Sequence, residues 1–276
     1  MTLFFRFLTF FLALSFTALA QEARVEQGVS IFENEVEELL LTRYQEEPFL
    51  LLQSLNPGAS LESPIFEKLV NKLHKRASKI SSSDKRRLLE EIYFSAHQLI
   101  LTRYEEHAYF SKTLQEGIYD CVTGSGLYAL LLDEFQIEYQ IIETDAHVYI
   151  KGNLDEDHFL LESTFPTGGL IFGENEVSAF EQKFIRRNQG AGSIPNYLGK
   201  TEENGFTESF HTVIGLRELA GLQYYNDAIK KFFEEDYTGT YTQLLKAEFL
   251  YPSERIIELK QKITLLLQSH VNESAD

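Results

Sequence analysis

The spacing of apolar residues changes twice along the chain, and this change constrains the fold more than any other feature. From about residue 29 to 112, apolar side chains recur every three or four positions, which is typical of amphipathic helices. Between residues 137 and 164 they form short alternating runs that predict strands. Helical spacing returns at about residue 209. The pattern predicts an α+β fold, with a small antiparallel sheet between N-terminal and C-terminal helical regions.

The first twenty residues have the composition of a secretory signal peptide. Arg6 precedes a short apolar stretch, and Ala18-Leu-Ala20 fits a cleavage motif that would leave Gln21 as the first mature residue. An uncleaved anchor is the alternative, although the stretch is short for a bilayer crossing of about 20 residues. We therefore expect an exported protein, periplasmic or secreted, with no stable membrane span after signal removal.

The same patterns divide the chain into five segments. They are a signal peptide (1–20), an N-terminal helical region (21–112), a sheet-containing core (113–182), a loop or linker rich in Gly and Asn (183–208) and a C-terminal helical region (209–276). In the last of these, residues 224–252 resemble one tetratricopeptide repeat. About three repeats are needed to bury a continuous core, so a single unit predicts a helical hairpin packed on the rest of the chain.

The charge balance argues against a nucleic-acid partner. The chain has 42 acidic and 25 basic residues, for a net charge of −17, whereas binding a nucleic-acid backbone requires neutralisation of its phosphates. One basic run extends from Lys68 to Arg87. A solvated helix face is the simpler interpretation of this run, and a contact for an anionic glycan or lipid head group is the alternative.

The chain has a single cysteine, Cys121, within the sequence YDCVTGSG. One thiol cannot form an internal disulfide, and a free thiol in an exported protein is open to oxidation. The residues that follow predict that Cys121 begins a helix, whose N-terminal end favours thiolate over thiol. The neighbouring Asp120 opposes a second negative charge unless its carboxylate caps the helix amides. A buried, unreactive cysteine is the alternative interpretation.

Two predicted strands follow this helix and form a β-hairpin, with residues 153–156 as a four-residue loop. In that register His147 faces Glu162 on the same side of the sheet. If the helix that starts at Cys121 packs on the hairpin, the thiol approaches the imidazole. This arrangement supplies a nucleophile, a base and an orienting carboxylate. Alternatively, His147 and Glu162 are ordinary strand residues.

The segment YDCVTGSGLYALLL…AHVYI…LLESTFP, about residues 115–168, resembles the transglutaminase-like superfamily of papain-type cysteine enzymes, as an exported bacterial member. The resemblance implies a core in which the helix carrying the cysteine packs on an antiparallel sheet. It implies that Cys121 is the nucleophile, His147 the base and Glu162 the third member of a triad. Gln115, six residues before the cysteine, is a candidate oxyanion helper. The chain departs from the family pattern by having Glu for the usual Asp, and by having no tryptophan.

The resemblance implies an enzyme that acts on amide bonds of a peptide or protein substrate through a thioester. Hydrolysis is preferred over acyl transfer, because no lysine-binding feature is visible in the sequence. No cofactor or metal is expected, since His74, His97 and His107 lie in helical patterns without a matching ligand set. The alternative is a catalytically inactive binding or scaffold protein that uses its helical regions, including the C-terminal hairpin, to bind a protein partner.

Overall fold

The computed structural model describes residues 30–81, 84–145, 147–154, 157–190 and 211–273. Within these ranges the helices are α1 (Glu35–Arg43), α2 (Pro48–Leu51), α3 (Pro64–Ala77), α4 (Lys85–Leu99), α5 (Phe110–Glu116), α6 (Cys121–Glu134), α7 (Glu174–Gly190), α8 (Leu216–Phe233), α9 (Tyr237–Leu250) and α10 (Glu254–Glu273). The strands are β1 (Arg103–Tyr104), β2 (Ile118–Tyr119), β3 (Tyr139–Glu143), β4 (Val148–Leu154), β5 (Asp157–Leu161), β6 (Leu170–Phe172) and β7 (Thr212–Ile214). Each described helix is too short or too polar to cross a lipid bilayer. The α+β class is confirmed.

The main sheet has five strands in the order β6-β5-β4-β3-β7, and each neighbouring pair is antiparallel. The edge strand β7 lies in the region 209–276 that was predicted to be helical, and a run of three residues is too short to reveal strand alternation. Similarly, β1 lies in the predicted helical region 21–112 and pairs in parallel with β2. The predicted signal peptide lies outside the described residues.

The predicted hairpin register is wrong by two residues. Strands β4 and β5 remain paired as far as Leu154 and Asp157, so two residues rather than four connect them. Leu154 is buried, and its apolar side chain extends the strand beyond the predicted end. Because side chains alternate with a period of two, this shift moves His147 along the sheet but leaves it on the same face as Glu162.

Helix α6 lies at the centre of the protein. It packs against β3 and β4 of the sheet and against helices α4, α5 and α8. Ten of its fourteen residues are buried, which is the pattern of a helix surrounded by other elements rather than one with a solvent face. This position holds its first residue, Cys121, at a fixed place relative to the strands.

The N-terminal and C-terminal helices share one hydrophobic core with the sheet, which extends from Leu41 to Ile263. Helices α8 and α9 form the hairpin expected within residues 224–252. A buried ion pair between Lys246 of α9 and Glu37 of α1, with 2.7 Å between Nζ and Oε1, joins the C-terminal and N-terminal helical regions. Helix α7 continues to Gly190, so the first part of the predicted linker 183–208 is helical; residues 191–208 lie outside the described ranges.

The basic run at Lys68–Arg87 lies on α3, on α4 and between them, and several of its members have partners within the protein. Arg76 contacts Glu91, and Lys72 donates to Gln98 over 2.6 Å. These contacts favour the interpretation of the run as a solvated helical surface.

Candidate active site

Cys121 is the first residue of α6, and Asp120 caps that helix. The Asp120 Oδ1 atom accepts hydrogen bonds from the backbone N–H (2.8 Å) and the hydroxyl (3.0 Å) of Thr123. The Asp120 N–H in turn donates to the Thr123 hydroxyl over 3.0 Å, completing a capping box. Burial raises the pKa of Asp120 to about 6, and hydrogen bonds from Thr123, Val122 and Asn226 oppose the rise. The Asp120 carboxylate therefore caps the backbone amides of the helix, which is the condition under which the sequence pattern allowed it beside a reactive thiol.

Two small residues one turn after Cys121 set the distance between α6 and the sheet. A Cβ atom at Gly124 would lie 2.5 Å from both side-chain atoms of Ser163, which follows β5. The next residue, Ser125, donates a hydrogen bond from its hydroxyl to the Val148 carbonyl of β4 over 3.3 Å. The GSG part of the motif thus docks the helix against the ends of both hairpin strands.

Glu162 directly follows β5, and its side chain is 2% exposed. Its Oε1 atom accepts hydrogen bonds from the backbone N–H and the hydroxyl of Thr164, each over 2.7 Å. Its backbone is fixed as well, because its N–H donates to the Gly169 carbonyl (2.7 Å) and its carbonyl accepts from the Tyr93 hydroxyl (3.1 Å). These contacts leave Oε2 directed at His147.

His147 lies between the carboxylate and the thiol, with 13% of its side chain exposed. Its Nε2 atom makes a hydrogen-bonded ion pair with Glu162 Oε2, and the ring is also hydrogen-bonded to Cys121. Burial alone would lower the pKa of His147, but hydrogen bonds with Cys121 and Glu162, and the negative charges of both, raise it to about 10. At neutral pH the ring is therefore a protonated imidazolium, held between Cys121 and Glu162.

The structure thus brings together the three side chains that the sequence pattern singled out as a triad. No protein-family model, curated protein or solved structure matches the chain. The chemical roles of these residues must therefore be argued from the geometry of the site.

Gln115 does not join this group. It is exposed at the end of α5, and its side-chain amide lies against Gly58, where a Cβ atom would be 2.0 Å from Gln115 Nε2. Gln115 is close to Cys121 in the sequence, but this closeness does not determine the direction in which its side chain points. The backbone N–H of Cys121, in the first turn of α6, remains the candidate donor for an oxyanion.

Tyr104 is a residue near the site that the sequence reasoning missed. The pairing of β1 with β2 places it beside Tyr119, and the two rings meet edge to face with centroids 6.1 Å apart. Burial raises the pKa of Tyr104 to about 12, and the negative charges of Cys121 and Glu106 contribute. The residue is 48% exposed, so its ring also reaches the surface beside Tyr119. A two-residue parallel pairing leaves no periodic signal in a sequence.

The described residues contain no group of three or more His, Cys, Asp or Glu side chains that could hold a metal ion. His74 instead contacts Glu134 over 2.7 Å. His97 contacts the Leu101 carbonyl through Nδ1, and its ring packs edge to face on Tyr93. These histidines thus have structural partners.

Proposed function

We propose that the protein is an exported thiol enzyme, related to the transglutaminase-like superfamily, that cleaves amide bonds in peptides or proteins. The observation that carries this proposal is that His147 is hydrogen-bonded both to Cys121 and, through Nε2, to Glu162. A structural strand histidine requires neither partner. A nucleophile, base and orienting acid in this order is the arrangement that activates a thiol for acyl transfer.

The reaction begins when the Cys121 thiolate attacks the carbonyl carbon of the amide. The carbonyl oxygen becomes an oxyanion, which the backbone N–H of Cys121 and the N-terminal end of α6 stabilise. The His147 imidazolium gives its proton to the amine as the C–N bond breaks, which leaves a thioester. Neutral His147 then takes a proton from water, and the resulting hydroxide attacks the thioester. The acid product leaves, and the thiolate–imidazolium pair is restored.

Glu162 serves to hold the ring. Because Thr164 occupies Oε1, only Oε2 is available to the imidazole, and this fixes both the tautomer and the ring plane. Glu is one methylene longer than the Asp usual in the related family. The Tyr93 and Gly169 contacts hold the Glu162 backbone in place, so that the longer side chain reaches the imidazole from a fixed position.

The family relationship and the export are parts of the same proposal. The first is supported by a cysteine at a helix start, with a histidine just before one strand and an acid just after the antiparallel strand paired with it. The second is supported by the composition of residues 1–20. Hydrolysis is proposed over transfer to an amine, because water is always present as an acceptor.

The test uses p-nitrophenyl acetate, which acylates an activated thiol without any knowledge of the natural substrate. Cys121 is the only cysteine, so an acetyl group that intact mass detects in the wild type and not in Cys121→Ser reports on that residue. We expect a burst of p-nitrophenol from the wild type and its loss in Cys121→Ser and His147→Ala. His158→Ala is the matched control, since His158 lies on the same hairpin, on β5, away from the triad.

A second assay separates hydrolysis from transfer. Denatured casein is incubated with the enzyme and dansylcadaverine; new amino termini indicate hydrolysis, and fluorescence incorporated into casein indicates acyl transfer. Acylation that is absent in the wild type, or unchanged in His147→Ala, refutes the enzyme proposal. In that case the scaffold interpretation is favoured.

A further inference from the structure

The carboxylate of Glu143, at the end of β3, is held by two residues from the C-terminal helices. Glu143 is buried, and its Oε2 atom accepts a hydrogen bond from the Tyr251 hydroxyl over 2.6 Å. Its Oε1 atom forms an ion pair with Arg255 Nη2. Tyr251 is the C-cap residue that directly follows α9, and Arg255 lies in the first turn of α10. Neither residue belongs to the proposed triad.

Glu143, which Tyr251 and Arg255 hold, begins the turn that leads to His147. In that turn the Thr144 backbone N–H and hydroxyl donate to the His147 carbonyl over 2.8 and 3.0 Å. Arg255 also reaches the turn directly, with its Nη1 atom 3.5 Å from the Asp145 carbonyl. Glu143 and His147 are therefore each fixed, the first by the C-terminal helices and the second by the triad.

The guanidinium of Arg255 is itself held in place. Its central carbon lies 4.9 Å from the ring centroid of Tyr225 on α8, and 30% of its side chain is exposed. A planar guanidinium can stack on a ring while directing two N–H groups at oxygen acceptors, and a lysine cannot do both. The residue thus joins α8, α10 and the β3–β4 turn.

We propose that Arg255 and Tyr251 are positioning residues that set the place of His147 between Cys121 and Glu162. The catalytic part of this inference rests on the proposed function, whereas the positioning part concerns the ring alone. When the turn is released, the imidazole is free to move away from the sulfur. A misplacement of about 1 Å at a reacting group can lower a rate by about 100-fold.

Two mild substitutions test this. Arg255→Lys keeps the positive charge but loses the planar fork, and Tyr251→Phe removes a single hydroxyl. The control is Arg217→Lys on α8, because Arg217 also donates to a carbonyl (Phe249, 2.9 Å) and lies over a ring (Phe249), but makes these contacts away from the turn. Circular dichroism melts establish that all three variants are folded.

The first readout is the rate of acetylation of Cys121 by p-nitrophenyl acetate, for which we expect a loss of about tenfold or more in Arg255→Lys and Tyr251→Phe but not in Arg217→Lys. The second is the pH titration of the His147 ring in ¹⁵N-histidine spectra, assigned with His147→Ala. In both test variants its midpoint should move down towards the ordinary histidine value, because the ring leaves its two anionic partners.

The outcomes separate the two proposals. An unchanged His147 titration in both test variants, relative to the Arg217 control, overturns the positioning role whether or not the protein is acylated. A shifted titration in a protein whose wild type is never acylated supports the positioning role and refutes the enzyme. A shifted titration with an unchanged acylation rate overturns the link between positioning and catalysis.

Discussion

Substitution of Gly124 by alanine should impair the reactivity of Cys121 far more than it impairs folding. The added methyl group would lie 2.5 Å from Cβ and Oγ of Ser163, where ordinary contacts begin at 3.4 Å. Ser163 is fully buried and follows Glu162, whose backbone is fixed by Tyr93. Moving Ser163 aside would therefore disturb close-packed neighbours at a cost in free energy, so α6 must instead separate from the end of β5 by about 1 Å.

The cost to stability is small because two effects oppose each other. Overpacking of this kind costs about 1–3 kcal/mol, and replacing glycine by alanine within a helix returns about 1 kcal/mol. We expect a net loss of about 1 kcal/mol in the free energy of unfolding. A shift of about 1 Å between thiol and imidazole, however, can reduce a rate by about 100-fold.

Gly126→Ala is the matched control in the same helix. Its methyl group would meet only the ends of Leu52 and Leu219, at 3.3 and 3.4 Å. These side chains can rotate by a few tenths of an ångström, so the variant should be as stable as the wild type or slightly more so. Urea denaturation measures stability, and the second-order rate of iodoacetamide alkylation, followed by intact mass, measures the reactivity of Cys121.

A rescue variant strengthens the test. Combining Gly124→Ala with Ser163→Gly removes both atoms that the new methyl group meets, and should restore much of the alkylation rate. The reasoning is refuted if Gly124→Ala reacts as fast as Gly126→Ala, or if it loses reactivity only in proportion to unfolding.

Three further predictions concern charges. The pKa of His147 is raised from its ordinary value of 6.5 to about 10 by its contacts with Cys121 and Glu162, so these contacts stabilise the fold fully below about pH 6.5 and lose this contribution as the pH rises towards 10. Glu162→Gln removes the Glu162 share, so its urea titrations should show a larger deficit at pH 6.5 than at pH 10. Asp120→Asn keeps a capping oxygen and removes a negative charge beside the thiol, so alkylation of Cys121 should be faster than in the wild type at neutral pH. The difference should vanish well below the Asp120 pKa of about 6, where the wild-type carboxyl is neutral as well. A slower rate at neutral pH would count against this account. Lys246→Met leaves the buried Glu37 without its positively charged partner and should cost about 3–5 kcal/mol in thermal or urea unfolding, and adding Glu37→Leu should recover most of this loss.

The parts of the site that could be predicted from the sequence are those with a local signal. Asp120 followed by Cys121 and a run of small and apolar residues predicts a helix start, and α6 begins there. The contact of His147 with Glu162 could also be predicted even though the assumed register was wrong. A two-residue error preserves the face of the sheet on which each side chain lies.

The remaining features depend on contacts between distant parts of the chain. Arg255 and Glu143 are 112 residues apart, and no spacing or composition links them. The side-chain direction of Gln115 depends on its packing against Gly58, which lies in another segment. Strand β7 exists because β3 offers it a free edge, since three residues have too weak an intrinsic preference to specify a strand.

The location of β7 has a consequence for biosynthesis. The chain is made from its N-terminus, so β3 is synthesised long before Thr212–Ile214, which cover its outer edge. A translation product that stops before Thr212 would carry Ile141 and Ile142 on an open strand, with unpaired backbone groups beside them. Such fragments should pair with one another through this open edge. Incomplete translation would therefore be expected to produce aggregates.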